Sequence, residues 1–298
     1  MKKKLSFRTV DILLIALMIL PLVAGMLLKA LTEPASEGLT ITGARIFFTV
    51  PMPLQNMPIT ESQVNTWLVM LSILGLCLFM THGIQADRRT ARQMIAEWAV
   101  EQCEGLVKQN MEHDIFAGYG PFVAAIMALS VCSSLLTLIG LYPPTSDLNI
   151  VGGWALLVFI LIMKNKLKAG PVHYLKGLVD PIPVMAPMNL ISEFATPISM
   201  SFRHYGNVLS GTVISALVAM GLQNVTRLVL GWLPGFLGEI PFLQIGLPAV
   251  LSLYFDLFSG CMQAFIFAML TMLYVSGGYP AEELMNRLSK KAKPSTAQ

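Results

Sequence analysis

The chain has 298 residues, of which 55% are hydrophobic and 12% charged, and its formal net charge is +3. Soluble globular proteins carry about 25% charged residues, so this composition excludes an ordinary soluble domain and describes an all-α integral membrane protein. The positive excess is too small for a nucleic-acid surface, and its placement reads as a topology signal.

The first apolar segment, residues 10–31, follows a basic start at Lys2, Lys3, Lys4 and Arg8. It is longer than the roughly 7–15 residues of a secretory signal core, and no A-x-A site follows. An uncleaved anchor helix is therefore expected over a cleaved leader. A Pro/Gly/Ser-rich loop, 32–61, leads to the second segment, 64–82. Residues 87–111 then place Ile95, Trp98, Cys103, Leu106 and Met111 at helical spacing against Arg92, Glu97, Glu101, Glu104 and Lys108. That pattern predicts one amphipathic helix on the cytoplasmic membrane surface, with a solvent-facing connector as the alternative. Segments 121–141 and 150–163 form a predicted hairpin, 121–163, closed by a short turn; the fourth segment needs a turn from its flanks to span. Segments 188–232 and 246–277 exceed a perpendicular crossing of about 20 residues. They are expected to be tilted, kinked or extended, and to form a second hairpin, 188–277. The whole reads as a single membrane domain, 1–298, of about six transmembrane helices.

Sixteen basic residues support the count. Four precede the first span, and Arg88, Arg89, Arg92 and Lys108 follow the second. Lys164, Lys166, Lys168 and Lys176 follow the fourth, and Arg287, Lys290, Lys291 and Lys293 the sixth. With six alternating spans all lie on one side, while the opposite loops hold Arg45, with Lys29 near a span end. The positive-inside rule then puts both termini in the cytoplasm of a bacterial-type cell.

The fifth segment carries Arg203 near its middle. Guanidinium stays charged, and arginine at the bilayer centre costs about 2.5–3.5 kcal/mol even on mild scales, so the charge needs a partner. At 100° per residue Ser192, Thr196, Ser199, Asn207 and Ser210 share its face. Small hydroxyl residues also pack helices, but that does not account for arginine. Glu193, toward the cytoplasmic end, is either a solvated end residue or the lining of an aqueous path. On the sixth segment Asp256 shares a helical face with Gln263, Ser252 and Gly260. It is either a proton relay or the partner of Arg203 or Arg227. The four cysteines and four histidines show no metal-ligand spacing, so neither metal nor cofactor is expected.

Residues 197–211 read P-I-S-M-S-F-R-H-Y-G-N-V-L-S-G. This resembles the P-x-S-L-x-x-R-L-F-G-N-M-x-A-G signature of subunit a of the F-type ATP synthase. Gln263-Ala-Phe-Ile-Phe-Ala-Met-Leu-Thr resembles that family's Q-A-F-I-F-x-x-L-T. Pro144-Thr-Ser-Asp147-Leu-Asn149 is similar to its P-T-x-D-x-N turn, and Pro187-Met-Asn189-Leu-Ile-Ser-Glu193 to its P-x-N-L-I-E-x. The resemblance runs from about residue 59 to 274; the first span carries nothing diagnostic. It implies a non-catalytic stator subunit that works beside a rotating ring of c subunits, with peripheral-stalk b subunits and membrane lipid as further partners. Two half-channels would carry protons or sodium, and ATP would be made elsewhere in the complex. Arg203 takes the place of the family's essential arginine, Asn207 of its neighbouring amide and Gln263 of the glutamine on the partner helix. Asp256 falls where the family has an acid or histidine in the external half-channel, and Glu193 where it has a carboxylate near the internal one. His204-Tyr205 departs from the usual Leu-Phe, and Thr212 stands where some members carry glutamate. A secondary ion transporter with an Arg/Asp pathway is the alternative; it requires internal repeats, and no second Arg203-like stripe exists. An intramembrane enzyme would need a nucleophile-base pair or metal triad, and none is visible.

Overall fold

The computed structural model of the chain describes residues 2–32, 43–53, 56–84, 90–111, 114–179, 182–230, 246–247 and 250–280. Arg88, Arg89, Arg287, Lys290, Lys291, Lys293 and the end of the fifth apolar segment lie outside them. Six described helices are long and apolar enough to cross a membrane.

Helix α1 (Lys2–Thr32) packs along α2 (Glu61–Thr81). The contact is close because position 75 is glycine: a Cβ there would lie 2.8 Å from the Met18 amide nitrogen. Ser72 donates its hydroxyl to the Met18 carbonyl at 2.8 Å, which satisfies a polar group that lipid could not. Between the two helices the expected loop contains an antiparallel pair, β1 (Ile46–Val50) and β2 (Met57–Thr60), with Val50 opposite Met57. The run Ile-Phe-Phe-Thr-Val has the branched and aromatic side chains that suit a pleated surface. The prolines on either side obscured that signal by limiting each strand to a few residues.

Helix α3 (Ala91–Asn110) starts at Thr90, whose hydroxyl accepts from the Gln93 amide at 3.3 Å. Its expected apolar face is divided. Leu106, Val107 and Met111 join the core, whereas Ile95 and Trp98 remain exposed, Trp98 at 62%. The first half of the helix meets the body through its polar residues instead, with Arg92 paired to Asp11 at 2.9 Å and Gln93 buried, so Ile95 and Trp98 face away from it. A membrane-surface helix requires that exposure.

Helices α4 (Gly120–Leu135) and α5 (Leu148–Lys166) form the first long hairpin. The turn between them is built by Asp147. One carboxylate oxygen accepts from the Asn149 amide at 3.0 Å and caps α5; the other accepts from the Ser62 hydroxyl. Asn65 adds a 2.8 Å bond to the Tyr142 carbonyl, so the turn is tied to α2. The fourth span takes its extra turns from both flanks and runs Leu148–Ala169. After the short α6 (Pro171–Val179) comes α7 (Ala186–Leu230), 45 residues with Pro197 inside. At 1.5 Å per residue it is about 67 Å long, twice the hydrocarbon thickness, so it must tilt strongly or run on past the bilayer. A π-helical turn, Leu253–Ser259, leads into α8 (Gly260–Gly277). One core cluster joins α3, α4, α5, α7 and α8 through Met111, Val123, Val158, Met200, Phe267 and Met272.

Candidate functional site

The long helix α7 has two different faces. Met200, Ser201, His204 and Gly211 are buried, at spacings that return to one side of a helix. His204 fixes that side. It is fully buried, its Nε2 lies 3.2 Å from the Ser130 hydroxyl, and its ring stands edge-on to Trp154 and Phe267 at 5.9 and 5.6 Å. Three helices thus grip one side chain of α7. Other positions of the same stretch are exposed: Ile198, Ser199, Phe202, Arg203, Ser210 and Ile214. Among the described residues no carboxylate pairs with Arg203.

Helices α7 and the Leu253–Gly277 stretch run antiparallel in a defined register. Asn207 donates to the Ser259 hydroxyl at 2.8 Å and accepts from it at 3.0 Å. Four residues on, a Cβ at Gly211 would lie 3.0 Å from that of Phe255. Continuing the register sets Gln263 level with Arg203, Asp256 level with Ser210, and Leu273 level with Glu193. The last agrees with Glu193 and Leu273 lining one cavity.

The sequence-derived residues are placed as follows. Gln263 is level with Arg203 but buried at 5% exposure, and no hydrogen bond joins the two. Asp256 is half-buried and hydrogen-bonded to Ser252. It pairs with neither Arg203 nor Arg227, so the purely structural ion pair is not formed. The face expected to hold both Asp256 and Gln263 assumed unbroken α-helix; the π turn between them interrupts that periodicity. Thr212 bonds back to the Leu209 carbonyl of its own helix at 2.9 Å.

Glu193 has the richest surroundings. The Lys166 ammonium lies 2.6 Å from its Oε1, and the Tyr174 hydroxyl donates to Oε2. Burial, with the hydrogen bond to Glu193 and its charge, pushes the Tyr174 phenol up to about 12. Two cavities flank the carboxylate. One of about 550 Å³ is lined by His173, Tyr174, Asn189 and Ser192. Another of about 360 Å³ is lined by Phe159, Thr196 and Leu273. Asn189 steadies the first by donating to the Leu178 carbonyl at 2.9 Å. Sequence reading missed three of these groups. Ser259 carried no pattern, Tyr174 lay between spans, and Lys166 counted only as a loop charge although it sits at the end of an apolar span.

Fold and site together define a multi-span helical membrane protein whose longest described helix exposes a cation that pairs with no carboxylate among the described residues. Residues 63–276 match the family model of the ATP synthase A chain, and the chain belongs to that family. Several curated relatives carry the name ATP synthase subunit a. One from Desulforamulus reducens is 33% identical over 72% of this chain and 78% of its own length. One from Legionella pneumophila is 28% identical over 78% of this chain and 91% of its own. A relative from Propionigenium modestum, named as sodium ion specific, is 29% identical over 80% of this chain and 85% of its own. The family-model match starts beyond α1 and the β pair.

Proposed function

We propose that this chain is the non-catalytic stator subunit a of an F-type ATP synthase in a bacterial-type plasma membrane, carrying protons or sodium past Arg203 to and from a ring of c subunits. The observation that supports this most is the Arg203 guanidinium, exposed on a membrane-spanning helix and unpaired among the described residues. Lipid cannot neutralise it, so the counter-charge comes from a partner docked there. An ion-carrying carboxylate on the ring meets the need. As it arrives, the guanidinium field favours its ionised form and the ion is released. Arginine itself does not give up a proton, so it passes nothing directly from one side to the other.

The flanking groups fit two half-channels. Glu193 is ten residues before Arg203, about 15 Å along the helix, toward the lysine-rich side. Asp256, level with Ser210, is about 10 Å the other way. Asn207 braces the helix pair through Ser259 at the level between them, where Gln263 is buried. The lysine-rich side is cytoplasmic by the positive-inside rule, with both termini there. Peripheral-stalk b subunits complete the stator.

The test is ATP-driven ion uptake by vesicles containing the assembled complex, with and without sodium. Arg203→Ala is expected to abolish uptake with assembly retained, and Arg203→Lys to restore little, because a buried ammonium can deprotonate. Normal coupled uptake by the alanine variant would overturn the reading.

A further inference from the structure

Lys166 and Glu193 line both cavities described above, together with Gly277 and Gly278. A side-chain pair that borders two adjacent spaces is the wall between them. The wider space has walls of mixed polarity, His173, Tyr174, Asn189 and Ser192 among them, and lies toward the lysine-rich end of the bundle. The narrower reaches Thr196, seven residues before Arg203 on the same helix. Both oxygens of Glu193 are occupied, one by the ammonium and one by the phenol, so an ion coming from the wide cavity finds the carboxylate already filled.

We propose that Lys166 is a tethered-cation gate in the internal half-channel: its ammonium holds Glu193 until an arriving ion replaces it, while Tyr174 keeps the carboxylate in place. This rests on the half-channel reading given above. Three features favour a moving lysine over a static brace. The pair is lopsided in exposure, 31% for Lys166 against 13% for Glu193, so the lysine side chain is the freer of the two to move. The lysine stem passes over Gly278, where a Cβ would lie 3.4 Å from Lys166 Cγ. With no side chain at Gly278, nothing at that position interlocks with the stem. Glu193 is held independently by the Tyr174 hydroxyl on its other oxygen and therefore stays put when the ammonium leaves. An ammonium on a four-carbon stem is suited to such exchange, being compact and strongly hydrated.

The experiment places a cysteine at Thr196 in the otherwise cysteine-free, fully assembled complex and measures its modification from the lysine-rich side. Silver ion and the neutral reagent methyl methanethiosulfonate are used in parallel. Lys166→Met is expected to raise both rates about tenfold, roughly what losing one charge-assisted hydrogen bond allows. Lys166→Arg is expected to stay near wild type. Passive proton flux through complexes stripped of the soluble head should rise in Lys166→Met. Unchanged rates overturn the gate. A rise for silver alone also overturns it, since only the local field has then changed. A fall in flux would make Lys166 a relay and equally overturn the gate. If Lys166→Met fails to assemble, Lys166→Gln removes the charge at similar length and is held to the same outcomes. Absence of Arg203-dependent flux in the unmodified complex would instead refute the proposed function, whatever the labelling shows.

Discussion

Arg203 and Asp256 show why a charge must be judged by what surrounds it. Asp256 is half-buried with a serine as its hydrogen-bond partner and no arginine within pairing distance. Asp256→Asn should therefore assemble normally, since no buried cation is left behind. If it relays protons, ion pumping per assembled complex should fall about a hundredfold, the lower end of what one positioned proton-transfer group supplies. Asp256→Glu should retain part of the activity. Full pumping by a well-assembled Asn variant would remove Asp256 from the pathway. Tyr174 yields a pH prediction. Its phenol, at about 12, lies above the ordinary value of 10.0, so the neutral form is favoured in the folded chain. The linked stability is complete below pH 10 or so and is lost as pH rises through about 12. A phenolate difference titration between the wild-type complex and Tyr174→Phe should show no Tyr174 ionisation up to about pH 10. An ordinary titration there would mean that the contact with Glu193 does not exist in the membrane.

At the level of elements, helix pairs here meet through small residues, as lipid-embedded helices do. The tightest example joins α8 to α4. A Cβ on Gly260 would lie 2.7 Å from the Ser134 Cβ, so no side chain fits unless the helices separate. Gly260→Ala should cost about 1–3 kcal/mol through overpacking, and should lower the thermal stability of the detergent-solubilised complex. An unchanged melting profile would show that the helices are farther apart than described. The same contact sits just after the π turn that carries Asp256. Strain in Gly260→Ala should thus disturb the Asp256 level before that of Glu193, seen as a loss of pumping larger than the loss of assembly.

For the whole molecule, the arrangement predicts opposite accessibility for its two ends. Between β1 and β2, Met52 is 52% exposed, and on α6 Leu175 is 59% exposed. In a cysteine-free background, Met52→Cys should react with an impermeant thiol reagent from outside intact cells, and Leu175→Cys only after the membrane is opened. Labelling of Leu175→Cys in intact cells would reverse or break the six-span topology. Both sites are exposed in the chain alone, so failure of both to react would point to cover by partner subunits.

The number of spans and their order were legible in the chain, because hydrophobic length is a local property. Arg203 stood out for the same reason: a permanent charge in an apolar run is conspicuous wherever it points. The residues around it were not legible. Ser259 became the partner of Asn207 only when two distant helices met, and His204 changed from a departure from a motif into the buried anchor that turns Arg203 outward. The π turn altered the phase between Asp256 and Gln263, which no count of seven residues reveals. Lys166 and Tyr174 converge on Glu193 from separate elements. Periodicity within one helix shows which face is polar, but the neighbour of that face is decided by packing between helices far apart in sequence.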